Sequence, residues 1–304
     1  MLFIFIILFL SIKNVQAQCF SFIPYAHNNL YSHLPKNKKF CVKNKFNKFN
    51  YKTSKNSARL ISNNSEMDNY IFAFGDSQML GIDWDENKKI NHHLETILST
   101  KKISIFASPN NGPFQAISQA KEVFKLTKMK NVSRLIFSFN FSTDIFRIQK
   151  KWKLENFVPL TSNDLDKIIL NPFIYDLILL KGVLSGKFFS TNLPNNEQII
   201  NQYKSLSKYE INKRINIWLH LINKFQLYSK KRLELIVYPP YWIYNDEGKI
   251  INDLIFQDFI KLIKTIKSHN LFFKIYVGKL DKKLFLTKDK RHFSNGSLKF
   301  TIYK

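Results

Sequence analysis

The chain has 304 residues, is 45% hydrophobic and carries a formal net charge of +25 at pH 7. This length and apolar content predict one sizeable domain with extensions. The positive charge indicates an anionic membrane or an acidic glycan as a neighbour, or reflects only the abundance of Lys and Asn that AT-rich coding produces. No zinc-finger spacing, RNA-binding aromatic signature or recognition-helix pattern occurs, so nucleic acid is excluded from the predicted partners.

The N-terminus is an apolar run, residues 1–12, which Lys13 follows. A helix needs about 20 apolar residues to span a bilayer, so this run is too short and fits the apolar part of a secretory signal. A cut after Ala17 would suit it, although no Lys or Arg precedes the run. The alternatives are an uncleaved anchor and a buried helix. Residues 1–17 are therefore predicted to be a signal peptide or a short N-terminal anchor, and the protein to be secreted or periplasmic, or membrane-associated.

Residues 18–67 are predicted to be a basic leader or linker. Between residues 20 and 65 there is no Asp or Glu, and lysines are interleaved with aromatic residues. One interpretation is an arm that binds an anionic membrane or polysaccharide, and the other is a solvated linker that wraps loosely over the domain. The two cysteines of the chain, Cys19 and Cys41, lie here. In an exported protein they can pair as a disulfide, and the alternative is two unpaired thiols.

From residue 68 onward, five short runs rich in Ile, Phe, Val and Tyr are apolar on both faces, which is typical of parallel strands covered by helices. Helical stretches alternate with them, so the pattern predicts a doubly wound α/β sandwich. Residues 147–205 do not fit the alternation and are predicted to be a helical insertion between strands 3 and 4, either a lid or a local elaboration. The predicted strands are 69–74, 102–107, 133–139, 233–238 and 272–277, and the predicted helices are 91–100, 115–128, 211–230 and 253–269.

Two short motifs carry the candidate chemistry. Gly75-Asp76-Ser77-Gln78 follows the first predicted strand, and Asp289-Lys290-Arg291-His292 lies near the C-terminus. Ser77 lies at the carboxyl end of its strand, where ligands bind in open α/β sheets. Asp289 and His292 are three residues apart and can share one face of a turn. Together the motifs supply a serine nucleophile, a base and a carboxylate to orient the base.

In residue type, order and distance from the chain ends, these motifs resemble the first and last sequence blocks of the SGNH hydrolases, the GDSL-like esterases and acyltransferases. The resemblance implies that residues 68–304 form a three-layer α/β/α sandwich with a five-stranded parallel sheet, the flavodoxin-like SGNH fold. It also implies that Ser77 is the nucleophile, that His292 is the base and that Asp289 orients it. Asp76 is interpreted as an acceptor that stabilises the turn.

The resemblance further implies an oxyanion hole made of the backbone N–H of Ser77, the N–H of Gly112 and the side chain of Asn140. Gly112 could instead serve only the turn before Pro113, and Asn140 could be a cap at the strand end. The segment around Asn140 also departs from the Gly-x-Asn-Asp pattern of the family, because the glycine and the aspartate are replaced.

Two aromatic residues after the fourth strand, Tyr241 and Trp242, are predicted either to contact substrate or to plug the loop over the core. The remaining histidines lack an acidic partner in a comparable motif, so no metal and no cofactor are expected.

The sequence therefore predicts a serine ester hydrolase acting on O-acyl esters, O-acetyl esters above all, of cell-envelope glycans or other acylated molecules. An O-acyltransferase would use the same acyl-enzyme and is the first alternative. The others are a non-catalytic domain that binds acylated glycan, and a membrane-surface protein that acts through its basic arm.

Overall fold

The computed structural model describes part of the chain. The described residues are 19, 26–27, 31–43, 48–60, 70–81, 103–108, 111–127, 132–147, 196–245, 247–280, 293 and 298–303. The predicted signal or anchor at residues 1–17, the predicted helix 91–100 and residues 148–195 of the predicted insertion lie outside them.

Five parallel strands form the centre of the main sheet, and they coincide with the five predicted apolar runs. In sheet order they are β7 (Ile103–Ala107), β6 (Tyr70–Gly75), β8 (Val132–Asn140), β9 (Leu233–Tyr238) and β10 (Phe272–Leu280). In chain order this is 2-1-3-4-5, the order of flavodoxin-like sheets. The order reverses between β6 and β8, so the carboxyl ends of these two strands define the switch point at which such sheets bind ligands.

The prediction of a five-stranded, all-parallel sheet was incomplete, because the described sheet is mixed and has seven strands. At one edge β5 (Arg59–Leu60) pairs antiparallel with β7, and at the other β11 (Leu298–Ile302) pairs antiparallel with β10. Neither edge strand has the doubly apolar pattern of a buried strand. β5 has two residues, and in β11 only Leu298 is buried.

Helices follow the strands, as the alternating pattern predicts. Ser207 caps the helix Lys208–Ser229 by accepting the N–H of Glu210, and Asn252 caps the helix Asp253–Ser268 by accepting the N–H of Ile255. Both bonds satisfy donors that a helix leaves open at its start. Within the described ranges, none of the helices combines the length and apolar character that crossing a bilayer requires. The helices are α1 (Ser77–Leu80), α2 (Pro113–Thr127), α3 (Phe141–Arg147), α4 (Asn196–Ser205), α5 (Lys208–Ser229) and α6 (Asp253–Ser268), and Tyr241–Ile243 form a 3-10 turn.

Aromatic side chains fill the space between the sheet and the helices. The ring of Phe74 on β6 stacks between Phe106 and Phe137 of the neighbouring strands, at centroid distances of 5.3 and 5.4 Å. Further along β8, Phe139 packs against Trp218 of the helix Lys208–Ser229, with the ring centroids 4.6 Å apart. Such large rings bury much apolar area, which accounts for a stable layer between sheet and helices.

The basic N-terminal region contributes to this same core. It contains the pair β1 (Ala26–His27) and β2 (Ser32–His33) and the hairpin of β3 (Lys39–Lys43) and β4 (Lys48–Lys52), and its last strand, β5, joins the main sheet. The structure links Cys19 to Cys41 of β3 by a disulfide. Buried side chains from this region belong to the cluster that includes the main sheet; they are Leu34, Phe40, Val42, Tyr51 and Ala58.

A charged network crosses three strands of the sheet. Arg134 on β8 donates two hydrogen bonds to the carboxylate of Glu234 on β9, and it donates another at 3.1 Å to the hydroxyl of Tyr276 on β10. The Glu234 side chain is 5% exposed, and that of Arg134 is 24% exposed. Burial alone would lower the pKa of the Arg134 guanidinium, but the bonds to Glu234 and its charge outweigh this effect and raise the pKa.

Removing the carboxylate from this network is expected to destabilise the fold. Glu234→Gln leaves the Arg134 cation without its counter-charge at a largely buried position, which should cost about 2 kcal/mol of the free energy of unfolding, measured by urea denaturation. Glu247→Gln is the matched control, because Glu247 pairs with Lys249 at 2.8 Å with both side chains mostly exposed, and such pairs contribute about 0.5 kcal/mol or less. Equal unfolding midpoints for the two variants would contradict the importance of the network.

Candidate active site

At the end of β6 the backbone lies very close to neighbouring side chains. A Cβ atom on Gly75 would collide with Ser138 Oγ of β8 and would lie 2.8 Å from the Cβ of Met79. Only glycine therefore fits where β6 turns into α1 beside β8. The turn brings the following residue, Asp76, against the end of β8.

Asp76 holds this turn together through both carboxylate oxygens. Its Oδ1 accepts the N–H of Gln78 at 2.9 Å and that of Met79 at 3.4 Å, which caps α1. Its Oδ2 accepts a hydrogen bond at 2.9 Å from Nδ2 of Asn140, the last residue of β8. Asp76 therefore has the predicted role of a turn acceptor, and it also joins the two strands at the switch point.

Ser77 is the residue that this turn leaves accessible. Within residues 71–81 every side chain is buried except that of Ser77, which is half-buried. The Asp76 cap uses the N–H groups of the two residues after Ser77 and not the N–H of Ser77 itself. The local structure thus places one half-buried serine at the carboxyl edge of the sheet.

Three hydrogen bonds fix the orientation of Asn140. Its backbone N–H donates to Asp144 at 2.7 Å, its Oδ1 accepts the N–H of Ser142 at 3.2 Å, and its Nδ2 donates to Asp76. A carboxamide nitrogen carries two N–H donors, and the bond to Asp76 uses one of them. The amide therefore has a second donor to offer near the serine turn. Its role in an oxyanion hole stays a prediction.

Gly112 lies at the N-terminus of α2 and has a bonded N–H. The side-chain oxygen of Gln115 accepts this N–H at 3.1 Å, and the carbonyl of Gly112 accepts the N–H of Ala116 at 3.0 Å. With Pro113 as the first helical residue, this is one half of a capping box, because Gly112 has no side chain to accept the N–H of Gln115 in return. The side chain of Gln115 thus accepts the same Gly112 N–H that is predicted to bind the oxyanion. The predicted role of Gly112 requires this hydrogen bond to break.

Tyr241 and Trp242 are packed into the domain. They are 4% and 1% exposed, respectively, and the Trp242 ring lies 5.6 Å from that of Tyr203. The backbone N–H of Tyr241 donates to Ser142 Oγ at 2.9 Å. This burial is what a plug over the core requires, and the contact with substrate stays a prediction.

The C-terminal segment meets the serine helix through Gln78. The side-chain oxygen of Gln78 accepts the N–H of Phe293 at 3.4 Å, and both residues are buried. Asp289 and His292 lie outside the described residues. In sequence, however, Phe293 directly follows His292.

Two further residues at this edge escaped the sequence analysis. Gln78 follows the serine but has no recognisable motif role, and Tyr238 ends β9 beside Asn140 in the strand register. Burial raises the pKa of the Tyr238 phenol, and the nearby Asp76 carboxylate raises it further, so the hydroxyl stays neutral. The position of Tyr238 at the last residue of a buried strand was the one signal available for it.

Comparisons with known proteins leave the family open. No protein-family model matches the chain. No curated protein matches it either. Among solved structures, the chain is similar to the lipase Lip_vut3 from a goat rumen metagenome, with 14% identity, a TM-score of 0.39 and coverage of 74% of this chain and 90% of that one. It is also similar to a variant of the esterase AlinE4, with 12% identity, a TM-score of 0.25 and coverage of 68% and 99%. Likeness this coarse assigns no role to any residue of this chain.

Proposed function

We propose that the protein is a serine ester hydrolase of the SGNH type that acts on O-acyl esters, in particular acetyl esters of cell-envelope glycans, after export. The observation that carries the proposal is the hydrogen bond between Asp76 and Asn140. It joins the ends of β6 and β8 at the switch point of the sheet, directly beside the half-buried Ser77. Acyl transfer requires a nucleophile to attack the carbonyl and a hydrogen-bond donor to stabilise the oxyanion, and these two groups must lie close together.

In the proposed mechanism, Ser77 Oγ attacks the acyl carbonyl while His292 takes its proton, and Asp289 orients the imidazole and offsets its developing charge. The carbonyl oxygen becomes an oxyanion that accepts hydrogen bonds from the Ser77 N–H and from the second N–H of Asn140. Gly112 contributes a third donor if the oxyanion replaces Gln115 as its acceptor. His292 then protonates the leaving alcohol, and water releases the acid from the acyl-enzyme.

The bond between Gln78 and Phe293 supports the proposed position of the base. Consecutive Cα atoms are about 3.8 Å apart, so a residue next to Phe293 is tethered to the residue that follows the nucleophile. His292 and Ser77 are therefore each one residue from the two ends of this hydrogen bond. A general base must first lie within hydrogen-bond reach of the proton that it removes, and only then does its pKa matter.

The O-acyltransferase alternative differs only in the last step, where a sugar hydroxyl replaces water as the acceptor. Product analysis with and without a polyol acceptor separates the two activities, since the transferase forms a new ester and the hydrolase releases acid. A glycan-binding domain without turnover would form no acyl-enzyme at all.

Labelling with a fluorophosphonate tests the proposed nucleophile without knowledge of the true substrate. The probe should modify Ser77 in the purified protein, as mapped by mass spectrometry, and the modification should be lost in His292→Ala. A folded protein that shows no labelling, or labelling at another serine, would overturn the proposal.

Gln78 offers a test of the link between the serine turn and the C-terminal segment. Gln78→Leu keeps a similar volume but cannot accept the Phe293 N–H, so kcat should fall by about tenfold while KM changes little, because a base displaced by a fraction of an ångström transfers protons poorly. Gln78→Glu retains an acceptor oxygen and should recover most of the rate. Steady-state kinetics on a small soluble ester measures both variants, and an unchanged kcat in Gln78→Leu would show that the bond does not position the base.

A further inference from the structure

The ends of three helices and the starts of three parallel strands lie at the amino edge of the main sheet, opposite to the carboxyl edge with Ser77. The chain passes there from α2 to β8, from α5 to β9 and from α6 to β10. Because β8, β9 and β10 are parallel neighbours, their first residues share one edge. The described residues of this amino edge are 124–127, 132, 226–233 and 267–274.

Large apolar side chains protrude from the amino edge. Leu126, Leu227, Tyr228 and Phe273 are all exposed, the two leucines by 64% and 71%. The Tyr228 ring lies 5.4 Å from the ring of Phe124, so the ends of α2 and α5 are side by side. Single exposed apolar side chains are common on proteins, but a group of them at one end of a domain indicates contact with a partner or a membrane.

Positive charge surrounds these apolar side chains. The guanidinium of Arg232 lies over the ring of Phe273, 4.9 Å from its centroid, and the ammonium of Lys274 lies 5.5 Å from the same centroid. Lys125 near the end of α2 and Lys230 at the end of α5 are both exposed. The amino edge therefore presents apolar groups and cations together.

The three segments that form this edge contain no acidic residue. In sequence, Asp and Glu are absent from 123–133, 224–233 and 264–275. Glu234, which follows the second segment, is buried and is bonded to Arg134. Lysines near the end of a helix are ordinary, since they offset the negative end of the helix dipole. That effect accounts for the cations, but it does not account for the leucines and aromatic residues that protrude among them.

The segment between α5 and β9 is held in a fixed shape. The N–H of Lys230, a residue in the left-handed conformation, donates to the carbonyl of Gln226 at 2.8 Å and ends α5. The ammonium of Lys231 donates to the carbonyl of Val132 at 3.1 Å, which ties the segment to the start of β8. The neighbouring side chains therefore protrude from a fixed support, so less conformational entropy is lost when they bind.

We propose that the amino edge docks the protein on a bilayer that contains anionic lipid. Proteins that bind at a bilayer surface insert apolar side chains about 5–10 Å into the boundary between headgroups and acyl chains, while Lys and Arg contact the anionic headgroups. The protruding Leu, Tyr and Phe side chains match the first contact, and Lys125, Lys230 and Arg232 match the second. Nucleic acid or an acidic polysaccharide would bind the cations but would leave the leucines in water.

This docking surface is separate from the candidate active site. A strand rises about 3.3 Å per residue, and β6 has six residues, so Ser77 lies about 20 Å from the amino edge. A docked protein would keep Ser77 away from the lipid and accessible to substrates outside the bilayer. The docking proposal does not depend on the proposed esterase activity.

An environment-sensitive fluorophore reports which edge of the protein enters the lipid. Cys19 and Cys41 are joined in a disulfide, so an added cysteine can be labelled selectively with NBD in the full-length protein. Leu227→Cys labelled in this way should become about threefold or more brighter on phosphatidylglycerol-rich vesicles. Leu254→Cys is the matched control and should not change, because Leu254 is 80% exposed at the start of α6, on the opposite edge. No change at position 227, or equal changes at both positions, would overturn the proposal.

Paired substitutions measure the apolar contribution. Leu227→Gln combined with Phe273→Gln should lower the partition coefficient onto the same vesicles by about tenfold or more, because two apolar side chains no longer leave water. Ile251→Gln combined with Leu254→Gln removes two exposed apolar side chains near the start of α6 and should leave it within about twofold. All of these side chains are exposed, so Tm should stay close to that of the parent protein. Equal partitioning of the two double variants would contradict docking through the amino edge.

A second pair of variants measures the charge contribution at constant net charge. Lys230→Gln combined with Arg232→Gln should weaken binding to the anionic vesicles by about tenfold or more. Lys204→Gln combined with Lys208→Gln removes two exposed lysines at the end of α4 and the start of α5, far from the amino edge, and should change binding by about twofold at most. Equal weakening by the two pairs would reduce the effect to net charge and overturn the proposal.

The nature of the partner is tested with the parent protein. Vesicles of phosphatidylcholine alone should bind it at least about tenfold less tightly than anionic vesicles, and equal binding would contradict a role for anionic lipid. Self-association through this edge without vesicle binding would assign the surface to a second copy of the chain and overturn the proposal. Turnover of a small soluble ester should be unchanged in all of these variants, so failure here is distinguishable from failure of the esterase proposal.

Discussion

Ser77→Ala is expected to lower ester turnover by about a thousandfold or more without loss of stability. The hydroxyl is the only group in the serine turn that can form the acyl-enzyme, and removing a nucleophile leaves only the background rate from binding and oxyanion donors. The turn itself should survive, because the Asp76 cap uses the backbone N–H groups of Gln78 and Met79. His292→Ala should reduce turnover to a similar extent, since the members of such a unit act together.

The measurement is kcat/KM on a small soluble ester, combined with thermal unfolding of each variant. Ser268→Ala is a suitable control, because Ser268 ends α6, and its hydroxyl donates to Thr265 at an exposed position. If Ser77→Ala kept a tenth or more of the parental turnover, Ser77 would not be the nucleophile. A large fall in Tm would instead assign the hydroxyl a structural role.

Asn140→Ala is expected to lower kcat by about a hundredfold, the usual effect of removing one oxyanion donor. The change also removes the partner of Asp76 Oδ2 and of the Ser142 N–H, so stability should fall by about 1–3 kcal/mol. Kinetic measurements at a temperature well below the melting transition separate the two effects. An unchanged kcat in the folded variant would remove Asn140 from the oxyanion hole.

A double-mutant cycle shows whether Asp76 acts through Asn140. Asp76→Asn keeps a side-chain oxygen that can cap α1. Its NH2 group, however, then replaces the carboxylate oxygen that accepts from Asn140 Nδ2, so two hydrogen-bond donors face each other. The variant should lower kcat by misorienting Asn140, and its effect should largely vanish in the Asn140→Ala background. Additive effects of the two substitutions would show that the bond has no part in catalysis.

Much of the fold could be predicted from local sequence. Parallel strands covered on both sides by helices must be apolar on both faces, and each of the five runs with that property is a strand of the central sheet. Because parallel strands present their carboxyl ends at one edge, the sequence also placed Ser77 and Asn140 at the same edge. Edge strands follow a weaker rule, since one side of each pairs with no other strand among the described residues, and β5 and β11 were missed for that reason.

The contacts of the candidate site were decided by the tertiary structure. That Asp76 bonds Asn140, 64 residues away, depends on β6 and β8 being neighbours, and strand order is not encoded in any local pattern. That Gln115 accepts the Gly112 N–H depends on the rotamer of one side chain at the start of α2. The β3–β4 hairpin is a similar case. Its Lys- and Asn-rich sequence does not show which residues face the core, and strand pairing places Phe40 and Tyr51 there. Sequence by itself therefore predicted which residues could do chemistry, and it determined that two of them, Ser77 and Asn140, follow strands whose carboxyl ends share one edge of the sheet. Which of their donors and acceptors meet was decided by long-range pairing, where the energy depends on atoms that are distant along the chain.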